Sequence, residues 1–147
     1  MIRTAGKGTR SAAGAGPSLE AHQVAGFGLP LTVAALYERL RGGRDYVFCH
    51  ASPAVDRLTY TALGLVVAAG VTAVVGACVT QGRETRPRAG ALPLVFLVLI
   101  AALIVAADGV DAHGEREAAR IAAQRSDGRS CDYTPRVYSA TPGWFFW

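Results

Sequence analysis

Three cysteines are the most reactive side chains of this 147-residue chain. Cys78 lies within a long apolar stretch, whereas Cys49 and Cys131 lie in the segments that flank it. If the apolar stretch crosses a membrane twice, both flanking cysteines return to the same side. They would form a Cys49–Cys131 disulfide in an oxidising compartment and stay free thiols in a reducing one. The sequence has no Cys-x-x-Cys pair and therefore no thioredoxin-like redox motif.

The three histidines, His22, His50 and His113, are far apart, and none has a second ligand at zinc-binding spacing. His50 follows Cys49 directly, but adjacent loop residues more often point apart than share a metal. The sequence also lacks the Gly-x-Ser-x-Gly motif of serine nucleophiles and a glycine-rich phosphate loop. We therefore predict a protein that is not an enzyme and that holds no metal or cofactor.

Arginine supplies 14 of the 15 cationic side chains. The arginines are dispersed, without the interleaved aromatic residues of a nucleic-acid-binding surface, so we predict no nucleic-acid partner. A GC-rich coding sequence accounts for the arginine bias, and attraction to anionic lipid headgroups needs no further assumption.

Two stretches of the sequence, Leu58 to Gly82 and Ala89 to Ala107, contain no charged residue. They indicate the helices on which the fold is built. As a helix, the first span from Leu58 to Thr80 holds 23 residues and reaches roughly 34 Å, enough to cross a hydrocarbon core of about 30 Å with some tilt. The second span holds 19 residues and reaches about 28 Å, close to that thickness. The short loop between them, with three arginines, allows only an antiparallel return. The sequence predicts an all-α membrane protein built on a two-helix transmembrane hairpin, with spans at 58–81 and 89–107 and an arginine-rich loop at 82–88.

The segment from Val24 to Tyr37 also lacks charge but, as a helix, covers only about 21 Å. It is predicted as an interfacial or packed helix, with a third span and the core of a cleaved signal peptide as alternatives. The remaining segments are predicted as a disordered basic tail (1–17), the short apolar helix itself (18–41), a connector (42–57), a polar helix (108–125) and an irregular tail (126–147).

Small residues recur on one side of the first predicted span, which lets helix backbones approach closely in lipid. The abundance of alanine in this chain is the plainer explanation. The predicted packing residues are Ala69, Gly70, Ala73, Gly76 and Ala77 in the first span and Ala102 and Ala106 in the second.

The chain ends in the aromatic run Trp144, Phe145, Phe146 and Trp147. Because tryptophan is enriched where membrane meets water, we predict that this run anchors the tail to the bilayer surface. The alternative is an anchor that fills a pocket on a partner protein.

Orientation follows from the cations near the spans, of which seven lie in the flanks and three in the loop. The positive-inside rule then predicts two cytoplasmic termini, in the plasma (inner) membrane of a prokaryote. Three spans would instead place the loop inside and Cys49 and Cys131 outside.

The predicted spans contain no Asp, Glu, Lys, Arg or His, which argues against a transport path within the chain. We expect a non-catalytic accessory or structural subunit that contacts the lipid bilayer and either a membrane-protein partner or its own copies. The alternative is a homo-oligomeric hairpin that permeabilises or remodels membranes.

Overall fold

A computed structural model describes residues 21–49, 51–81, 91–124, 136–141 and 143–145. The predicted basic tail (1–17), the arginine-rich loop (82–88), Cys131, Phe146 and Trp147 lie outside the described residues. The elements in chain order are α1 (Ala21–Arg41), β1 (Arg44–Phe48), α2 (Pro53–Gln81), α3 (Leu92–Gln124) and β2 (Arg136–Ala140).

The predicted pair of apolar helices is confirmed: α2 and α3 are long and apolar enough to cross a membrane. At 29 and 33 residues they extend about 44 and 50 Å, and both are longer than the thickness of a hydrocarbon core, about 30 Å. The uncharged part of α3 ends at Ala107, and the remaining turns carry the charged residues.

The boundaries of these helices differ from the prediction. Helix α2 begins at Pro53, five residues before Leu58, because Pro53 suits a first helical position and the Asp56 amide donates to the Ser52 carbonyl at 3.1 Å. Helix α3 includes the whole described part of the predicted polar helix, so no break separates that helix from the second span. Gly114 lies within α3 beside the Tyr138 side chain. A Cβ atom at this position would lie 3.3 Å from the Tyr138 hydroxyl oxygen, so glycine allows the close approach.

Helix α1 packs mainly on α2 and makes fewer contacts with α3. A Cβ atom on Gly28 would lie 2.9 Å from Ile100 Cδ1 and 3.1 Å from Ala73 Cβ, so all three helices meet closely at this level. The 21 residues of α1 reach about 31 Å despite Pro30, which removes one helical donor. Helix α1 therefore runs beside the apolar centres of both other helices.

A two-stranded antiparallel sheet lies at one end of the helical bundle. The prediction of a purely α-helical protein is therefore wrong in this respect. Strand β1 lies in the predicted connector and β2 in the predicted irregular tail, with Tyr46 opposite Tyr138. Gly42 ends α1 with a φ of 73°, a conformation that glycine adopts without strain. We call this end of the bundle the sheet end, and the end at which α2 ends at Gln81 and α3 begins at Leu92 the loop end.

The predicted packing residues differ in how deeply they are buried in the helical core. Ala69, Ala73 and Gly76 are buried, and Gly70 and Ala77 are half-buried. Ala102 and Ala106 are exposed, which corrects their prediction as counterparts on the second span. The residues that α3 contributes to this core are instead Ile100, Ile104 and Ala107, and the two isoleucines fill the space left by small side chains on α2.

Replacing Gly76 with alanine should destabilise the helical bundle. The new Cβ would lie 2.7 Å from Phe96 Cγ and 3.0 Å from Phe96 Cβ, an atom too close to the backbone to move freely. We expect a loss of about 1–3 kcal/mol in unfolding free energy, measured by denaturation in detergent. Gly64→Ala is the matched control, because nothing lies within 4 Å of its added methyl group. Equal stability of the two variants would contradict the packing described here.

Candidate functional site

Three carboxylates follow the uncharged part of α3 at intervals of three and four residues: Asp108, Asp111 and Glu115. Residues at this spacing share one face of a helix. Each carboxylate contacts a different part of the chain, and we call the three together the acidic row. It lies at the sheet end, where α1 ends and α2 begins.

Asp108 is the most buried of the three, with 4% of its surface exposed. Its Oδ1 accepts from the Trp144 amide at 2.5 Å and its Oδ2 from the Phe145 amide at 2.8 Å. Because burial deprives a polar group of water, these two hydrogen bonds replace contacts that solvent would otherwise make with the carboxyl group. Trp144 packs against the helical core, whereas Phe145 is 60% exposed.

Asp111 forms an ion pair with Arg39 of α1, with 2.5 Å between Oδ2 and Nη2. The two side chains are 11% and 12% exposed, and Arg39 Nη1 also donates to the Ala35 carbonyl at 2.8 Å. Burial raises the pKa of the Asp111 carboxyl, the Arg39 guanidinium acts in the opposite direction, and Asp108 adds to the rise. The pair joins α1 to α3 beyond the last uncharged turn.

Glu115 contacts strand β1 through Oε1, which accepts from Arg44 Nη1 and from the Tyr46 hydroxyl, both at 3.2 Å. Burial raises the pKa of the Tyr46 phenol, and the negative charge and hydrogen bond of Glu115 raise it further. Because Arg44 is mostly exposed, its ion pair contributes little, and the Tyr46 contact is the better shielded of the two.

The cysteines differ in state. Cys49, directly after β1, is disulfide-bonded, whereas Cys78 is an exposed free thiol on α2. Cys131 lies outside the described residues, so its pairing with Cys49 stays a prediction. Within the described part of the chain, no three His, Cys, Asp or Glu side chains are arranged to hold a metal ion.

An open groove of about 460 Å³ runs between α1 and α2 at the level of the apolar centre. Its floor is formed by Gly70 and Thr32, since a Cβ on Gly70 would lie 3.2 Å from Thr32 Cγ2. The Thr32 hydroxyl donates to the Gly28 carbonyl at 2.7 Å within its own helix, which leaves an apolar surface. The walls are formed by Leu29, Val33, Leu36, Val66, Val67, Val71, Val74 and Val75.

Sequence reasoning missed both the acidic row and this groove. The row has a visible signal, which is the spacing of its carboxylates immediately after an uncharged span. Its partners Arg39 and Trp144 are distant in sequence and carry no comparable signal. The groove depends on the packing angle of α1, which the sequence does not specify.

Comparisons with protein-family models, with curated proteins and with solved structures give no match for this chain. Its function is therefore inferred from its own geometry.

Removing one member of the part-buried Arg39–Asp111 ion pair should destabilise the protein more than removing both. Asp111→Ala leaves the Arg39 guanidinium buried without its counter-charge, and we expect a loss of about 3–5 kcal/mol in unfolding free energy. The double variant Arg39→Met, Asp111→Leu should recover most of that loss, because two apolar side chains replace both charges. Denaturation of the single and double variants in detergent measures the difference. A double variant as unstable as Asp111→Ala would contradict a role confined to charge pairing.

Proposed function

We propose that this protein is a non-catalytic integral membrane subunit that docks to a partner membrane protein through the groove between α1 and α2. The observation that carries the proposal is the groove itself, which is open, apolar and level with the centres of the two candidate spans. The occupant that we propose is an apolar transmembrane helix of the partner.

The chemistry of the groove fits a helix. In lipid, hydrophobicity does not drive helices together, so association depends on close packing between complementary shapes. The six valines of the groove are β-branched and lose little side-chain freedom when a partner immobilises them. Along α2 the groove runs from Val66 to Val75, about 14 Å or two and a half helical turns.

The proposed topology has three spans, with the sheet end outside the cytoplasm and the loop end inside. The disulfide of Cys49 supports this orientation, because disulfides persist in oxidising compartments. The packing of α1 along the apolar centres supports α1 as the third span. This orientation replaces the expected pair of cytoplasmic termini with an N-terminus inside and a C-terminus outside.

The charge distribution supports the same orientation once three spans are assumed. Three spans would place residues 38–57 and 108–147 on the side of the sheet end. These two segments contain nine cationic and nine acidic residues, so they carry no net charge. The whole net charge of +4 then belongs to the N-terminal segment and the loop. Counted alone, cations still favour the sheet end as the inner side, but Arg39, Arg44 and Arg120 there are ion-paired. The disulfide therefore outweighs the cation count as support for this orientation.

A photo-crosslinking amino acid at Val71 should capture the partner helix in native membranes. Val71 lines the groove and is 57% exposed, and the matched control is Val98 on α3, which is 60% exposed and lies outside the groove. We expect one discrete protein adduct from position 71 and none from position 98, resolved by mass spectrometry.

The other outcomes of this experiment count against the proposal. Lipid adducts alone at both positions would mean that the groove faces the bilayer. A double-mass adduct that contains only this chain would favour the homo-oligomeric alternative instead.

Cysteine labelling of intact cells tests the orientation. In a Cys78→Ser background, Val137→Cys at the sheet end should react with a membrane-impermeant maleimide, and Thr85→Cys in the loop should react only after lysis. The physical reason is that the reagent cannot cross the bilayer. The opposite pattern, or equal labelling of both sites in intact cells, would contradict the three-span orientation.

A further inference from the structure

Three exposed aromatic rings on α1 and α2 differ in type with their distance from the middle of the bundle. Phe27 precedes Gly28, at the level where the three helices meet, whereas Tyr37 and Tyr60 lie nearer the sheet end. All three rings are more than half exposed. Tyrosine combines an apolar ring with a polar hydroxyl and is enriched where hydrocarbon meets water, whereas phenylalanine has no polar atom in its side chain. The order of the rings is therefore that of two helices that leave a hydrocarbon core toward the sheet end.

Each of the two tyrosines has an arginine about one helical turn farther toward the sheet end. Arg41 follows Tyr37 by four residues on α1, and Arg57 precedes Tyr60 by three residues on α2. Residues at these spacings lie on the same face of a helix. Both arginines are exposed, like the tyrosines. Two different helices therefore present the same pair, with the ring nearer the apolar centre and the cation nearer water.

The guanidinium groups of Arg41 and Arg57 have no partner within the described part of the chain. Three other arginines at the sheet end are ion-paired with acidic side chains: Arg39, Arg44 and Arg120. Among the described residues, Arg41 and Arg57 form no ion pair and no side-chain hydrogen bond, although Glu38 and Asp56 lie close to them in sequence. Both cations are therefore available to an anion outside the chain.

The heights of these residues along the bundle match the layers of a bilayer. The level at which Gly28 meets Ala73 lies within three residues of the middle of the uncharged stretch on α2. The two tyrosines lie about 14 and 20 Å from that level, and Arg41 and Arg57 lie about 20 and 24 Å from it. Measured from its middle, a bilayer contains hydrocarbon for about 15 Å and ends with its headgroups at about 20–22 Å. The rings therefore lie at or just beyond the hydrocarbon boundary, and the cations lie at the headgroups.

We infer that Arg41 and Arg57, each together with its neighbouring tyrosine, bind the headgroups of anionic phospholipids at the sheet end. A guanidinium group donates two parallel hydrogen bonds to a phosphate, and the tyrosine ring occupies the boundary between headgroups and acyl chains. Anionic lipids are favoured because their net negative charge attracts basic side chains at the membrane surface. The inference rests on the membrane placement of the three helices in the proposed function, and it does not depend on a partner in the groove.

Native mass spectrometry of the purified full chain, titrated with phosphatidylglycerol in detergent, tests this surface. Arg41→Gln and Arg57→Gln should each weaken the affinity for phosphatidylglycerol about fivefold, which corresponds to about 1 kcal/mol per basic side chain near an anionic surface. The affinity for phosphatidylcholine should change less than about twofold. Arg136→Gln is the matched control, because Arg136 is exposed on β2 at the same end and loses the same charge. It should leave both affinities within about twofold.

Three results overturn the inference. Unchanged affinity for phosphatidylglycerol in the Arg41 and Arg57 variants would show that these side chains do not bind the headgroup, and an equal loss in Arg136→Gln would show general attraction between opposite charges. Equal competition by inorganic phosphate would show a site for free phosphate instead of lipid. A missing partner adduct at position 71, beside intact binding of phosphatidylglycerol, would reject docking in the groove and leave the lipid surface supported, so the two failures are distinguishable.

Discussion

The change from Ala107 to Asp108 within α3 is the constraint on which the rest of the structure depends. Before it, α3 has no charged residue and packs through Ile100 and Ile104. After it, the same helix presents the acidic row, and each carboxylate must find a donor because burial removes its water. The tail, α1 and strand β1 supply those donors, so the sheet end is organised by the charges of a single helix.

The position of α1 follows from this constraint together with the small residues of α2. Gly28 lets α1 approach Ala73 and Ile100 at the apolar level, where only van der Waals contact is available. At the sheet end, the Arg39 side chain is only 12% exposed and needs a counter-charge, which Asp111 provides. A packing contact fixes the distance between the helices, and the ion pair fixes their relative height. The groove between α1 and α2 is the space that remains open beside the Gly28 contact and the Arg39–Asp111 ion pair.

The sequence allowed the two apolar helices to be predicted because an uncharged run of about 20 residues is a local signal that depends on no distant contact. The strands were not predicted, since β1 and β2 pair residues about 90 positions apart and no hairpin turn marks them. The small residues of α2 were visible as a pattern, but their partners on α3 were not. Ala102 and Ala106 have the expected spacing and face outward, because spacing defines a stripe but not the direction in which the helix is rotated.

The same reasoning explains why counting cations is a weaker guide to orientation than hydropathy is to the spans. Counting cations treats each arginine as a free charge, but Arg39 is paired with the part-buried carboxylate of Asp111, 72 positions away. A cation that folds together with its counter-ion contributes less to the charge that opposes transfer of a segment across a membrane. With the paired residues removed from consideration, the loop and the N-terminal segment keep their net positive charge, and the sheet end keeps a disulfide. The acidic row therefore bears on the proposed orientation as well as on the packing of the bundle.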